Sequence, residues 1–199
     1  MALWGATTAD ESKPKWLTDA EKKLVYANES GWVLEAGAES AQYTGNNNPD
    51  AQPEILVAIG ELATGLGAAD VTDVEWITTT ADKSAGFTLS VRVRYNEAVT
   101  VTGSPTLAVT NGNQGTGTGR GPHTLVYASG SGSNELVFSL AIDAANAATN
   151  ADDVLTIGAQ NILKPGGATI KDTTGTASDS AVAISAGQGT AAGSITVVA

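Results

Sequence analysis

Phe87-Thr88-Leu89-Ser90-Val91-Arg92-Val93-Arg94-Tyr95 alternates apolar and polar residues without a break. A period of two places Phe87, Leu89, Val91, Val93 and Tyr95 on one face and Thr88, Ser90, Arg92 and Arg94 on the other. The stretch predicts a β-strand with a buried face and a wet face, and Arg92 and Arg94 are expected to pair with Asp or Glu across strands. Working outward, the β-branched run Val71–Thr79 with Trp76 precedes it. Val99–Thr102, Thr106–Thr110, Thr124–Ala128, Glu135–Ile142, Val154–Ile157, Thr169–Lys171, Val182–Ser185 and Ser194–Val198 follow, punctuated by Gly, Asn, Asp and Pro. Many short strands with turn signals and no helix-period segments between them predict an all-β chain built as an immunoglobulin-like β-sandwich. Asp143–Asp153 is long enough for one helical turn.

Residues 1–53 read differently, as an extended N-terminal arm before a sandwich domain at 54–199. Trp4, Trp16 and Trp32 are three of the four Trp of the chain, and Tyr26 and Tyr43 join them. The segment lacks the apolar periodicity of a core, and exposed aromatic rings commonly anchor interfaces. The expectation is an arm that docks on a neighbour through Trp4, Lys13, Pro14, Trp16, Leu17, Tyr26 and Trp32. The alternative is an arm folded back on its own domain. One local element is legible: Thr18 and Glu21 form a capping box, predicting a short helix over about 19–27. Pro14 keeps Lys13 extended. Asn46-Asn47-Asn48-Pro49 is turn-rich, and Glu54–Ile59 is a short apolar run that suits a docking strand.

The 21 acids and 10 bases give a net charge of −11, which repels phosphate backbones and argues against a nucleic-acid partner. No Cys is present, so thiol catalysis and thiolate metal sites are excluded. The first residues lack the basic start and apolar run of a secretory leader, and the longest apolar run is too short to span a membrane. No cofactor motif is found. His123, the single His, follows Pro122 and reads as an exposed strand-end residue without a nucleophile elbow near it. Gly112–Gly121 is Gly-rich but lacks the Lys-Ser/Thr pair and following helix of a phosphate loop, and reads as a hairpin tip. Asp143, Asp152, Asp153 and Asp172 offer oxygens for Ca²⁺, but their spacing fits no EF-hand, and Asp is also an ordinary turn residue. The turn reading is the stronger, and the expectation is a chain without catalytic residues or metal.

Two resemblances bear on function. Residues 85–185 resemble a bacterial immunoglobulin-like repeat of adhesins and large surface proteins. Its carriers are Phe87–Tyr95, Asn96-Glu97-Ala98-Val99-Thr100-Val101, Gly103-Ser104-Pro105-Thr106-Leu107, Tyr127-Ala128-Ser129-Gly130-Ser131-Gly132, Glu135-Leu136-Val137-Phe138, Asn150-Ala151-Asp152-Asp153-Val154 and Gly167-Ala168-Thr169-Ile170-Lys171-Asp172. Residues 1–77 resemble the N-terminal part of virion structural proteins of marine tailed phages. Leu3-Trp4-Gly5, Lys13-Pro14-Lys15-Trp16-Leu17, Gly31-Trp32-Val33 and Glu54-Ile55-Leu56-Val57-Ala58-Ile59-Gly60 carry that similarity. Together they imply a capsid decoration, or cement, protein on the phage head surface. Its partners would be the major capsid protein and neighbouring copies of itself. The rival is a carbohydrate- or host-binding adhesin module of a virion or cell surface.

Overall fold

The computed structural model describes residues 13–112, 121–174 and 179–199. Trp4 and most of the Gly-rich tip lie outside the described residues. The chain is mostly β, as expected, and its strands in order are β1 (Val25–Asn28), β2 (Gly31–Leu34), β3 (Glu54–Ala58), β4 (Val71–Trp76), β5 (Ala81–Asp82), β6 (Phe87–Thr102), β7 (Thr106–Gly112), β8 (His123–Ser129), β9 (Ser133–Ile142), β10 (Val154–Thr156), β11 (Gln160–Asn161), β12 (Thr169–Asp172), β13 (Ala183–Ile184) and β14 (Ser194–Val198). Among the described residues four short α-helices punctuate them: α1 (Asp19–Lys23), α2 (Ala41–Thr44), α3 (Leu62–Leu66) and α4 (Ala186–Ala192).

The alternating stretch Phe87–Tyr95 forms the first part of β6, which runs on without interruption through Val99–Thr102, expected as a second strand. Its first half is held antiparallel on both sides, by β4 and β9. Its second half pairs with β12. The large sheet runs β3-β2-β1-β6-β9-β8-β7-β10-β14-β5, with β4 and β12 also on β6. Leu89, Val91, Val93 and Tyr95 are fully buried, as alternation requires, and pack with Leu107, Val109, Leu125, Leu136, Phe138 and Ile142 in the main core. Phe87, at the strand end, is only half-buried.

The N-terminal segment departs from expectation. It is no core-less arm. Leu17, Leu24, Val25, Ala27, Trp32 and Leu34 join Leu62, Ala63 and Leu66 in a second buried cluster, with Leu56, Val57 and Ile59 packed against it. The cluster draws on both sides of residue 53, so packing does not divide there. Apolar periodicity over one segment misses such a core because two sequence-distant pieces share it. The capping box forms as read, with Glu21 N donating to the Thr18 hydroxyl and Thr18 N to the Glu21 carboxylate. The helix nevertheless stops at Lys23 rather than at 27. Val25 and the residues after it enter a hairpin with β2, and β-branched and aromatic side chains favour that state once a partner strand is present. The hairpin turn uses Gly31 at φ +133°; a Cβ there would overlap the Val57 carbonyl oxygen, so β2 and β3 lie in close approach only because Gly is present. β1 reaches the main sheet through one parallel bridge, Ala27 to Glu97. The Asp143–Asp153 stretch forms turns and no helix. α4, unexpected from the sequence, carries a capping box of its own at Ser185 and Gln188, and Gln188 Nε2 donates to the Val71 carbonyl at 2.9 Å.

Candidate functional site

Arg92 and Arg94 were expected to point into water and pair across strands. The pairing is present. Register places Glu75 of β4 opposite Arg92, and Glu135 of β9 opposite Arg94. The face is not wet, however. The N-terminal segment covers it, and the Arg94 side chain is 0% exposed. Four carboxylates close on that guanidinium: Glu35 at 2.8 Å, Glu39 at 2.6 Å, Glu75 at 3.1 Å and Glu135 at 2.6 Å. Arg94 Nη1 also donates to the Lys23 carbonyl oxygen at 3.3 Å. Arg92 pairs with Glu39, with Glu75 at 3.0 Å and with Glu135 at 3.5 Å. Two of the four carboxylates thus come from the N-terminal segment and two from the main sheet. A fixed planar fork with five donors suits such convergent recognition.

The electrostatics follow from burial and charge count. Burial pushes the Glu35 carboxyl up to about 7, against the pull of Arg94 and with help from the Glu135 and Glu39 charges. Glu39, although burial raises it, is held below the usual carboxylate range by Arg92 and Arg94. Arg94 is desolvated, yet the surrounding carboxylates more than compensate and its proton is held more tightly than usual. Burial and the Arg94 charge lower Lys13 to about 8, and its ammonium donates to the Lys22 carbonyl at 2.6 Å. Lys23 pairs with the buried Asp73 at 3.1 Å. A cleft of about 610 Å³ opens above the cluster, lined in part by Lys23, Gln42, Tyr43, Glu75 and Arg94. Its charged floor is already committed to internal ion pairs, so the arrangement chiefly locks the N-terminal segment to the sheet.

The described residues expected to meet a partner separate into three groups, buried, half-buried and exposed. Trp32 is 0% exposed and belongs to the second cluster, a correction that follows from its place in β2 between β1 and β3. Leu17 and Pro14 are likewise buried. Lys13 and Tyr26 are half-buried; burial and the nearby Glu35 charge raise the Tyr26 phenol above its ordinary value. Trp16 alone among the described candidates is strongly presented, at 64% exposed, between the Pro14 turn and the Thr18 cap. Tyr43 is a further exposed aromatic side chain of the same segment, and Ile55, at 53%, is exposed just beyond it on β3.

His123 is not an exposed strand-end residue. It is buried at the start of β8, with Nε2 at 3.0 Å from the Thr149 hydroxyl and 3.5 Å from Asn111 Nδ2. Burial lowers its pKa, and the Asp153 charge opposes that shift. Asp153 accepts from Asn111 Nδ2 at 3.1 Å and from the Asn150 amide at 2.8 Å. This polar knot pins the 143–153 turns to β7 and β8. Asp172 accepts from the Thr174 amide and hydroxyl, whereas Asp143 and Asp152 are exposed. Among the described residues no group of three acidic or His side chains is placed to hold a metal ion. No helix among them is long and apolar enough to cross a membrane. Comparison with protein families, with curated proteins and with solved structures finds no match.

Proposed function

We propose that the chain is a non-enzymatic structural protein of a virion, a decoration protein that binds the shell of a tailed-phage head. Its main body is an immunoglobulin-like sandwich, and the antiparallel order β4-β6-β9-β8-β7-β10-β14 around one buried cluster supports that reading. The observation that carries the docking role is Trp16. A 64%-exposed indole stands on a segment clamped by the Arg94 cluster, so it is offered from a rigid mount. A preorganised aromatic anchor loses little conformational freedom on binding. In this reading the segment from Lys13 onward is ordered before docking rather than on the shell. Its partners would be the major capsid protein and neighbouring copies, and many weak contacts over a lattice would add by multivalency. The charged cluster has a structural part in this reading, and His123 and Asp153 hold turns.

The test is sedimentation of the full chain with phage heads stripped of it. Trp16→Ala should weaken binding about 30-fold, equivalent to about 2 kcal/mol. The variant should keep the wild-type unfolding midpoint, because the ring is mostly outside the core. Removing residues 1–50 would be uninformative, since it would delete β1, β2 and Trp32 from the second cluster. Undiminished binding of Trp16→Ala would refute the anchor. Binding to glycans without binding to heads would favour the adhesin reading.

A further inference from the structure

β3 is the end strand of the large sheet. It pairs with β2 on one side, in the register Gly31 to Ala58, Trp32 to Val57, Val33 to Ile55 and Leu34 to Glu54. Among the described residues no strand pairs with its other side. Such an edge carries unpaired backbone donors and acceptors and is ordinarily blunted by Lys, by Pro or by an inward charge. Here Pro53 stands only at the entry, and the strand itself reads Glu54-Ile55-Leu56-Val57-Ala58. Its backing is firm. Leu56 and Val57 pack against the second cluster, and Gly31 lets β2 close directly on the Val57 carbonyl. Ile55, meanwhile, faces out.

Charge identifies the occupant. Exposed Asp50 and Glu54 flank one end of β3, and exposed Glu29 and Glu61 flank the other, where the Glu61 amide bonds the Glu29 carbonyl at 2.9 Å. From Leu24 to Asp82 the sequence contains no Lys or Arg. A second copy paired antiparallel about Leu56 would set the Asp50/Glu54 end of one chain against the Glu29/Glu61 end of the other, like charge on like. We propose that β3 is an acceptor edge for strand addition by an extended segment of a different protein, one that alternates β-branched residues with Lys or Arg. Backbone bonds to β3 would supply affinity, and the acids at its two ends would set specificity. The inference rests on the docking role but needs no particular shell, so it can fail while Trp16 anchoring stands.

The probes are three capped synthetic peptides titrated into the isotope-labelled full chain and followed by amide NMR. One alternates Lys with Val and Ile, one replaces each Lys by Glu, and one keeps the Lys content but carries central Pro residues that cannot pair. The expected result is saturable shifts at residues 54–59 with the first peptide, at least tenfold weaker binding of the other two, and a similar loss in the double variant Glu54→Lys, Glu61→Lys. Ile55→Pro, checked for wild-type folding by circular dichroism, should remove the shifts. Equal binding of the Pro-containing peptide would reduce the effect to net charge and overturn the proposal, as would shifts confined to other strands. Concentration-dependent dimerisation that protects the 54–58 amides would assign the edge to a second copy instead.

Discussion

Arg94→Met deletes the charge at the centre of the cluster while keeping much of the side-chain volume. In the wild type the guanidinium is 0% exposed and touches Glu35, Glu39, Glu75 and Glu135 within 3.1 Å. Without it, Arg92 still reaches Glu39, Glu75 and Glu135, but Glu35, itself only 13% exposed, loses the guanidinium it pairs with. Removing one partner of a buried ion pair leaves an uncompensated buried charge and costs about 3–5 kcal/mol, whereas an exposed pair is worth about 0–1 kcal/mol. Burial decides between the two, so the larger value is expected. Urea titration at pH 7.5, read by Trp fluorescence and by circular dichroism, measures it. Trp32 lies in the second cluster and should report early loss of the N-terminal segment if that segment opens before the main core. Adding Glu35→Gln to Arg94→Met should recover part of the loss, with a coupling of at least about 1 kcal/mol. A cost below about 1 kcal/mol for Arg94→Met, with no coupling to Glu35, would refute the clamp and return the segment to a loosely attached arm.

Glu35 makes stability depend on pH in a set direction. Its folded pKa of about 7 lies above its ordinary 4.5, so the folded chain binds the proton more tightly than the unfolded chain. Its contribution is fully present below 4.5 and is lost as pH rises through about 7, on the order of 3 kcal/mol over that window. Glu35→Gln should flatten the stability profile between those values, measured by urea midpoints across pH. Phe138→Ala, at a fully buried position of β9, should cost about 3–5 kcal/mol, while the exposed Thr88→Ala should lie within about 0.5 kcal/mol of wild type. Phe87→Ala should fall between them, because that ring is only half-buried. Adding Ca²⁺ should leave the thermal midpoint unchanged, since Asp153 and Asp172 accept local amide bonds and Asp143 and Asp152 are solvated; an upward shift would reveal a site.

What the sequence determined was local. Alternation from Phe87 to Tyr95 fixes which side chains share a face, because the period of a strand is a backbone property that needs no partner. The Thr18–Glu21 capping box and the turn residues between strands act over three or four positions and were legible for the same reason. Even the Arg–carboxylate pairing on β6 could be anticipated from residue type. Other features depended on which distant pieces meet. Trp32 read as an interface anchor because the partners that bury it include Leu62, Ala63 and Leu66, some thirty residues on. His123 read as exposed because Thr149 and Asp153 arrive from a later loop. The polar face of β6 read as wet because Glu35 and Glu39, which cover Arg94, belong to a segment without visible periodicity. A strand's alternation says that two faces differ; only the packing of remote segments decides whether the polar face meets water or a ring of opposite charge. The same tertiary pairing leaves β3 at the end of the sheet, where its apolar run and surrounding acids become an edge rather than a core strand.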